Sequence, residues 1–278
     1  MRSQWECLLQ NSGEWQGSFT AFSLQGEQRE DTPTVVSLQG LNNNQTMRQI
    51  VRRFQPNQQV EEKVIEYSSL GKGVLFFENG AFSHGSIQLA PFSEFGAELG
   101  LINGDRRLRL VQLFDKTGQL HRLTLIRENK AGATTQERPP LTVDDLVGEW
   151  QGEGVTLYLD GRSPDTYPTM LRVDKNDDKL IQQLTINQGD STRNISSTAR
   201  IEGCGLYFDG GPQPNQVLLL PDGASATSPQ QVRVGQAFFL EVGWLLQPGE
   251  RQRMIRRYND KGEWSTLTLV TERKTKVL

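Results

Sequence analysis

Residues Gly13-Glu14-Trp15-Gln16-Gly17 recur as Gly148-Glu149-Trp150-Gln151-Gly152, 135 positions later. Four further echoes follow in the same order. Phe76-Phe77-Glu78-Asn79-Gly80 matches Tyr207-Phe208-Asp209-Gly210-Gly211, and Glu98-Leu99-Gly100 matches Glu241-Val242-Gly243. Leu113 to Gly118 matches Arg257 to Gly262, and Leu123-Thr124-Leu125-Ile126 matches Leu267-Thr268-Leu269-Val270, both at a spacing of 144. Collinear matches that drift only by small insertions mark a duplicated unit, and both copies must satisfy the same local folding rules. At 278 residues the chain is long enough for two ordinary domains. Between the copies, the sequence up to Leu141 has no hydrophobic period and contains Pro139-Pro140, which reads as a linker. The expected division is 1–130, a linker over 131–141, and 142–278.

Within each copy the pattern is short strands separated by Gly, Asn, Pro and Asp. In the first copy the strand-like runs are 35–39, 49–54, 60–67, 74–77, 81–89, 98–102, 108–114 and 120–127. In the second they are 156–159, 169–173, 180–186, 194–201, 206–208, 216–220, 237–246, 254–258 and 264–270. Only Ser3 to Gln10 and Val143 to Val147 have helical character, each just ahead of a Gly-x-Trp. Closely spaced strands without intervening helices favour antiparallel sheet, and eight or more per copy suits closure into a barrel, which removes exposed edges. The class expected is therefore all-β.

Composition narrows the function. With 30 Lys and Arg against 33 Asp and Glu, the net charge is −3. That lacks the cationic excess with which a nucleic-acid binder displaces counterions, and no polybasic membrane-binding run is present. No run reaches the 18 apolar residues of a membrane span and the start lacks a signal-peptide core, so a cytoplasmic location is expected. Cys7 and Cys204 are the only cysteines, and His84 and His121 the only histidines. These exclude a disulfide framework and a His/Cys zinc site. No nucleophile elbow and no phosphate-binding loop occurs, so no catalytic residue and no metal ligand is assigned.

The Asn103-Gly104 pair predicts a two-residue hairpin in which both positions take positive φ. Counting back from it sets Glu98 opposite Arg109, with Glu241 and Arg253 as the duplicates. Such a pair is either a solvated ladder contact, the more ordinary reading, or a retained anion-binding arginine. The alternate face carries Ala97, Leu99, Leu101, Leu108 and Leu110 in the first copy. In the second it carries Leu240, Val242, Trp244 and Met254, and this apolar face is expected to line the barrel. Of the aromatic pairs, Phe77 and Phe208 are assigned inward. The indoles of Trp15 and Trp150 are expected to seal one end of each barrel, with an arginine from the last strand stacked on them. That arginine is Arg127 in the first copy. In the second, Thr271 stands at its place and Arg273 lies two residues on.

Gly13-x-Trp15 and Gly148-x-Trp150 resemble the first-strand motif of the calycins, the lipocalins and their relatives. The stretch from Leu108-Arg109-Leu110 through Leu123-Thr124-Leu125-Ile126-Arg127 is similar to the closing hairpin of the S-type phycobilin lyases. Two such units in tandem resemble a double-calycin cyanobacterial family of unknown function. The resemblance implies two tandem lipocalin-like antiparallel barrels. It also implies non-catalytic binding of a small hydrophobic ligand, a bilin or other tetrapyrrole, by Phe77, Leu99, Leu101, Arg109, Phe208, Val242, Trp244 and Arg253. Two alternatives stand beside this: a chromophore lyase or chaperone with a phycobiliprotein partner, and an assembly protein with filled barrels. Trp244 and Met254, read as interior residues, favour filling in the second copy.

Overall fold

The computed structural model describes residues 2–133, 135–189 and 191–275. By its contacts the chain divides into two compact units. The first comprises Met1–Ile87, Gly96–Leu113 and Arg122–Gln136, and the second comprises Gln88–Phe95, Phe114–His121 and Glu137–Leu278. No helix among the described residues is long and apolar enough to cross a membrane.

The first unit begins with α1 (Gln4–Leu9), started by a capping box in which Ser3 accepts from the Glu6 amide and Glu6 accepts from the Ser3 amide. Nine strands follow: β1 (Gly13–Phe22), β2 (Gln28–Leu41), β3 (Thr46–Phe54), β4 (Val60–Tyr67), β5 (Val74–Phe76), β6 (Phe82–Gly85), β7 (Phe95–Asn103), β8 (Arg106–Phe114) and β9 (Leu120–Lys130). They form one sheet in the order β4-β3-β2-β1-β9-β8-β7-β6-β5, with β4 and β5 as its two ends. Cys7 and Leu8 of α1 pack with Trp15, Val36, Leu38, Met47 and Phe76 in its core.

The second unit opens with α2 (Val143–Leu146), capped in the same way by Thr142 and Asp145. Its ten strands are β10 (Gly148–Tyr158), β11 (Asp165–Asn176), β12 (Lys179–Gln188), β13 (Ser191–Glu202), β14 (Gly205–Phe208), β15 (Asn215–Leu219), β16 (Ala224–Pro229), β17 (Phe238–Gln247), β18 (Glu250–Tyr258) and β19 (Trp264–Lys274). Each pairs antiparallel with the next and β19 returns to β10, closing the barrel. The architecture is thus all-β and barrel-like in both copies, but closure is complete only in the second.

The repeated Gly-Glu-Trp-Gln-Gly has a physical reason at each fixed position. Gly13 and Gly148 leave α1 and α2 with φ of +123° and +128°, values that strain any side-chain-bearing residue. Trp15 and Trp150 follow, both buried. Gly17 then lies against β9, where a Cβ would come 1.8 Å from the Arg127 carbonyl oxygen, and Gly152 lies less tightly against β19, where a Cβ would come 2.8 Å from the Thr271 carbonyl oxygen. The motif therefore encodes a turn out of the helix, an end plug and a close strand crossing.

The predicted hairpin after β7 is shifted by one residue. Asn103 is the last strand residue, Gly104 and Asp105 form the turn, and Gly104 (φ +59°) alone of these takes positive φ. Such a shift moves the pairing by two residues, which preserves the face but changes the partner. The second copy shows the result directly: Arg253 lies opposite Gly243 and Glu241 opposite Ile255, so the acid and base are diagonal neighbours.

Candidate functional site

Two closely similar buried charge clusters sit beside the end plugs. In the first unit Trp15 donates its indole N–H to the Asn11 carbonyl at 2.9 Å, and the Arg107 guanidinium stacks 4.5 Å above the ring. Arg107 and Arg109 leave one face of β8 and share Glu128 of β9. Glu128 Oε2 accepts from Arg107 Nε at 2.7 Å and Arg109 Nε at 3.0 Å, while its Oε1 accepts from Arg109 Nη2 at 2.8 Å. Arg109 Nη1 reaches Glu98 Oε1 at 2.6 Å. The Glu128 side chain is fully buried and those of Arg109 and Glu98 are 9% and 24% exposed. The four charges cancel, which is what allows them to be buried at all.

The second unit repeats this arrangement. Trp150 donates to the Leu146 carbonyl at 2.9 Å, Arg251 stacks 4.5 Å above its ring, and Lys274 lies 5.0 Å from the ring centre. Arg251 and Arg253 both donate to Glu272 Oε1, the latter at 3.0 Å, and Arg253 Nη1 reaches Glu241 at 3.4 Å. Burial alone would raise the Glu128 and Glu272 carboxyls, but the paired guanidiniums override it. Glu128 is pulled down to about 2 and Glu272 is also lowered. The same balance works in reverse on Arg109 and Arg253, which the carboxylates hold above the ordinary arginine value despite burial.

These clusters correct the expected closing residues. The stacking cations are Arg107 and Arg251 from the penultimate strand. Arg127 instead donates to Thr20 at 2.9 Å, and Arg273 pairs with Glu250 at the surface. The Glu98/Arg109 and Glu241/Arg253 pairs are not solvated ladder contacts but parts of the buried quartets.

The two copies differ in free volume. In the second unit the barrel encloses a cavity of about 690 Å³, within the range of small-molecule sites. Its wall is largely apolar, with Leu184, Ile195, Phe208, Val217, Ile255 and Val270 among the lining residues. Arg253 and Glu241 face it at the Trp150 end, where Arg253 hydrogen-bonds Glu272, two residues from the Lys274 that pairs with Trp150. In the first unit a cavity of about 80 Å³ lies beside Phe19, Arg53 and Arg122.

Of the residues assigned to ligand binding, Phe208 and Arg253 line the large cavity. Val242 and Trp244 do not. They alternate with Phe239 and Glu241, which line it, so they lie on the outer face of β17 with Leu240. Met254 lies likewise on the outer face of β18, and the interior is therefore not filled by Trp244 and Met254. Phe77, Leu99, Leu101 and Arg109 are buried in the first unit and line neither cavity. Leu99 and Leu101 stay outside its core cluster, whereas Phe19, packed against that core, lies 5.4 Å from the Arg109 guanidinium. In both copies the charged face, not the leucine-rich face, points inward. Both faces of these strands are buried, so apolarity could not tell inside from outside.

Arg107, Glu128 and Glu272 were not singled out from the sequence, and Arg251 stood out only within the basic run Arg251, Arg253, Arg256 and Arg257, read as a charged barrel wall or a minor docking surface for an acidic partner. They carried a signal nonetheless: Arg107, Arg109 and Glu128 recur at Arg251, Arg253 and Glu272 with one spacing of 144. Among the described residues, no group of three or more His, Cys, Asp or Glu side chains converges as a metal site would require.

Residues 1–133 match the N-terminal domain of DUF3598, a domain of unknown function, and residues 137–275 match the C-terminal domain of biogenesis factor required for ATP synthase 1. No curated protein matches the chain. Among solved structures, a DUF3598 protein of unknown function from Nostoc punctiforme is 53% identical, covering 99% of this chain and 100% of its own, with a TM-score of 0.92. The S-type phycobiliprotein lyase CPES from Guillardia theta is 12% identical over 49% of this chain and 92% of its own, with a TM-score of 0.40. Transferrin binding protein B from Haemophilus parasuis is 11% identical over 95% of this chain and 59% of its own, with a TM-score of 0.27. Two tandem barrel-like units and near-complete coverage at 53% identity lead to one assignment: the chain belongs to the DUF3598 family.

Proposed function

We propose that the barrel of the second unit binds a small hydrophobic molecule. The carrying observation is the cavity of about 690 Å³ in a closed barrel whose wall carries an apolar band that includes Leu171, Leu184, Ile195, Val217, Ile255 and Val270 among polar groups. Burying an apolar ligand there would recover roughly 25 cal/mol for each Å² removed from water. An interior filled by its own side chains would leave no such space, so the filled-barrel alternative does not suit this unit. A tetrapyrrole is the ligand to test first, because the hairpin from Leu108 to Arg127 resembles that of the phycobilin lyases. Bilin, haem, retinoid and fatty-acid titrations read by tryptophan fluorescence test the proposal. Val217→Trp, which fills the cavity from β15, should weaken any bound ligand at least tenfold while leaving the circular dichroism unchanged. Failure of all four classes to bind the unaltered protein would refute it. If a bound bilin is then transferred covalently to a phycobiliprotein cysteine on co-expression, the lyase alternative replaces simple carriage.

The match of residues 137–275 to a domain of an ATP synthase biogenesis factor favours a second reading, in which this barrel serves protein assembly. Cells lacking the chain should then accumulate less assembled ATP synthase, and unchanged amounts would exclude it.

A further inference from the structure

The lining of the large cavity carries three arginines, Arg193, Arg253 and Arg257, but one carboxylate, Glu241. Glu241 is engaged by Arg253 at 3.4 Å. Arg253 is further held by Glu272, so the charge at the Trp150 end is neutralised within the quartet. Arg257 is different. It lies four residues along β18 from Arg253, about 13 Å in extended chain, at the other end of the cavity. Among the described residues no carboxylate pairs with it. The Phe239 ring centre lies 5.9 Å from its guanidinium. Arg193 of β13, exposed and also on the lining, is close enough to repel it; burial first and then this repulsion lower the Arg257 pKa. Tyr167, whose hydroxyl lies 2.9 Å from Thr156 Oγ1, completes the polar groups at this end.

Two like charges are thus held toward one half-buried space, and the carboxylate that attracts Arg257 there, Glu241, is already engaged by Arg253. That arrangement costs free energy in the empty protein and is relieved when an anion enters. The duplicated position sharpens the point. Arg257 corresponds to Leu113 in the first copy, whereas Arg253 corresponds to Arg109.

We infer that Arg257, assisted by Arg193, is an anion clamp at the open end of the second barrel, and that its ligand is an amphipathic acid. The apolar body runs down between Ile255, Phe239 and Val270, and the carboxylate or equivalent oxyanion stays at the mouth. This rests on the reading of the barrel as a ligand site. Guanidinium provides a planar fork of donors suited to an oxyanion, so lysine should replace it only in part.

The test compares two dyes with one aromatic body, anilinonaphthalene sulfonate and the uncharged phenylnaphthylamine, on the full chain. Val217→Trp identifies the fraction of each signal that comes from the cavity. Arg257→Gln should weaken sulfonate binding about tenfold, Arg193→Gln by less, and Arg257→Lys should recover part of the loss. Phenylnaphthylamine affinity should stay within twofold in all three, which also reports that the barrel remains folded. Equal loss of both dyes, or no loss of the sulfonate, overturns the clamp while leaving the cavity reading intact. Absence of cavity binding by either dye overturns both.

Discussion

Replacing Glu128 by Gln removes the central charge of the first quartet while keeping its shape. Three charge-assisted hydrogen bonds converge on this carboxylate, from Arg107 and Arg109, at 2.7 to 3.0 Å. The amide retains one acceptor but turns an N–H₂ toward a guanidinium, leaving two buried cations with Glu98 as the remaining nearby anion. Breaking a buried pair by removing one partner costs about 3–5 kcal/mol. The lowered pKa of the same group points in the same direction. Its carboxyl is held at about 2 against an ordinary 4.5, and that difference corresponds to roughly 3 kcal/mol. The sign follows from the depressed folded value: this stabilisation is present above about pH 4.5 and is lost as pH falls toward 2. Urea unfolding of the full chain at pH 7, followed by circular dichroism, should show Glu128→Gln destabilised by about 3 kcal/mol. The variant should also be less sensitive to acid between pH 4.5 and 2.5 than the parent. Glu98→Gln, removing one contact at a partly exposed site, should cost about 1 kcal/mol. A Glu128→Gln variant within 1 kcal/mol of the parent, or one less damaging than Glu98→Gln, would refute the reasoning.

Gly17→Ala should destabilise by about 2–3 kcal/mol, because its Cβ would collide with the Arg127 carbonyl, and thermal unfolding of the variant reads this directly. Gly104→Ala, at φ +59° in open space, should cost about 1 kcal/mol from backbone strain alone, and the reverse order would be inconsistent with the strand crossing. Trp150→Phe loses the bond to Leu146 and part of the Arg251 stack, for about 1–2 kcal/mol by chemical denaturation, with Trp15→Phe expected to match it.

The duplication was legible because five collinear motifs repeat, and the two short helices because each is a short run just ahead of a Gly-x-Trp. The strand β16 was missed because Ala-Ser-Ala-Thr-Ser-Pro has little of the β-branched and aromatic character that marks strands, although five of its six residues are buried. The facing of β7, β8, β17 and β18 was misread for a different reason. An alternating charged and apolar strand ordinarily puts its charges in water, and that rule fails when the charges neutralise one another. Leu99 and Glu98 were each assigned a face on hydrophobicity, whereas the deciding fact, Glu128 two strands over on β9, lies 30 residues away. Which copy would be open followed the same error, since it turned on the facing of Trp244.

The comparison of the two copies separates what builds the barrel from what uses it. Both hold a Trp, two Arg and two Glu in the same relation, but with different commitment. Arg109 makes two bonds to Glu128 through separate oxygens, while Arg253 makes one to Glu272, whose Oε2 is buried without a hydrogen-bond partner. The second quartet is looser, and it is the one that faces a cavity. Arg257 belongs to a different class, because the first copy has Leu113 in its place and no quartet member contacts it. Substitutions in the quartets should therefore alter stability in both units. Substitutions at Arg257 should alter binding while leaving stability nearly unchanged, since among the described residues that guanidinium makes no carboxylate ion pair within 4 Å and feels Glu241 only at longer range.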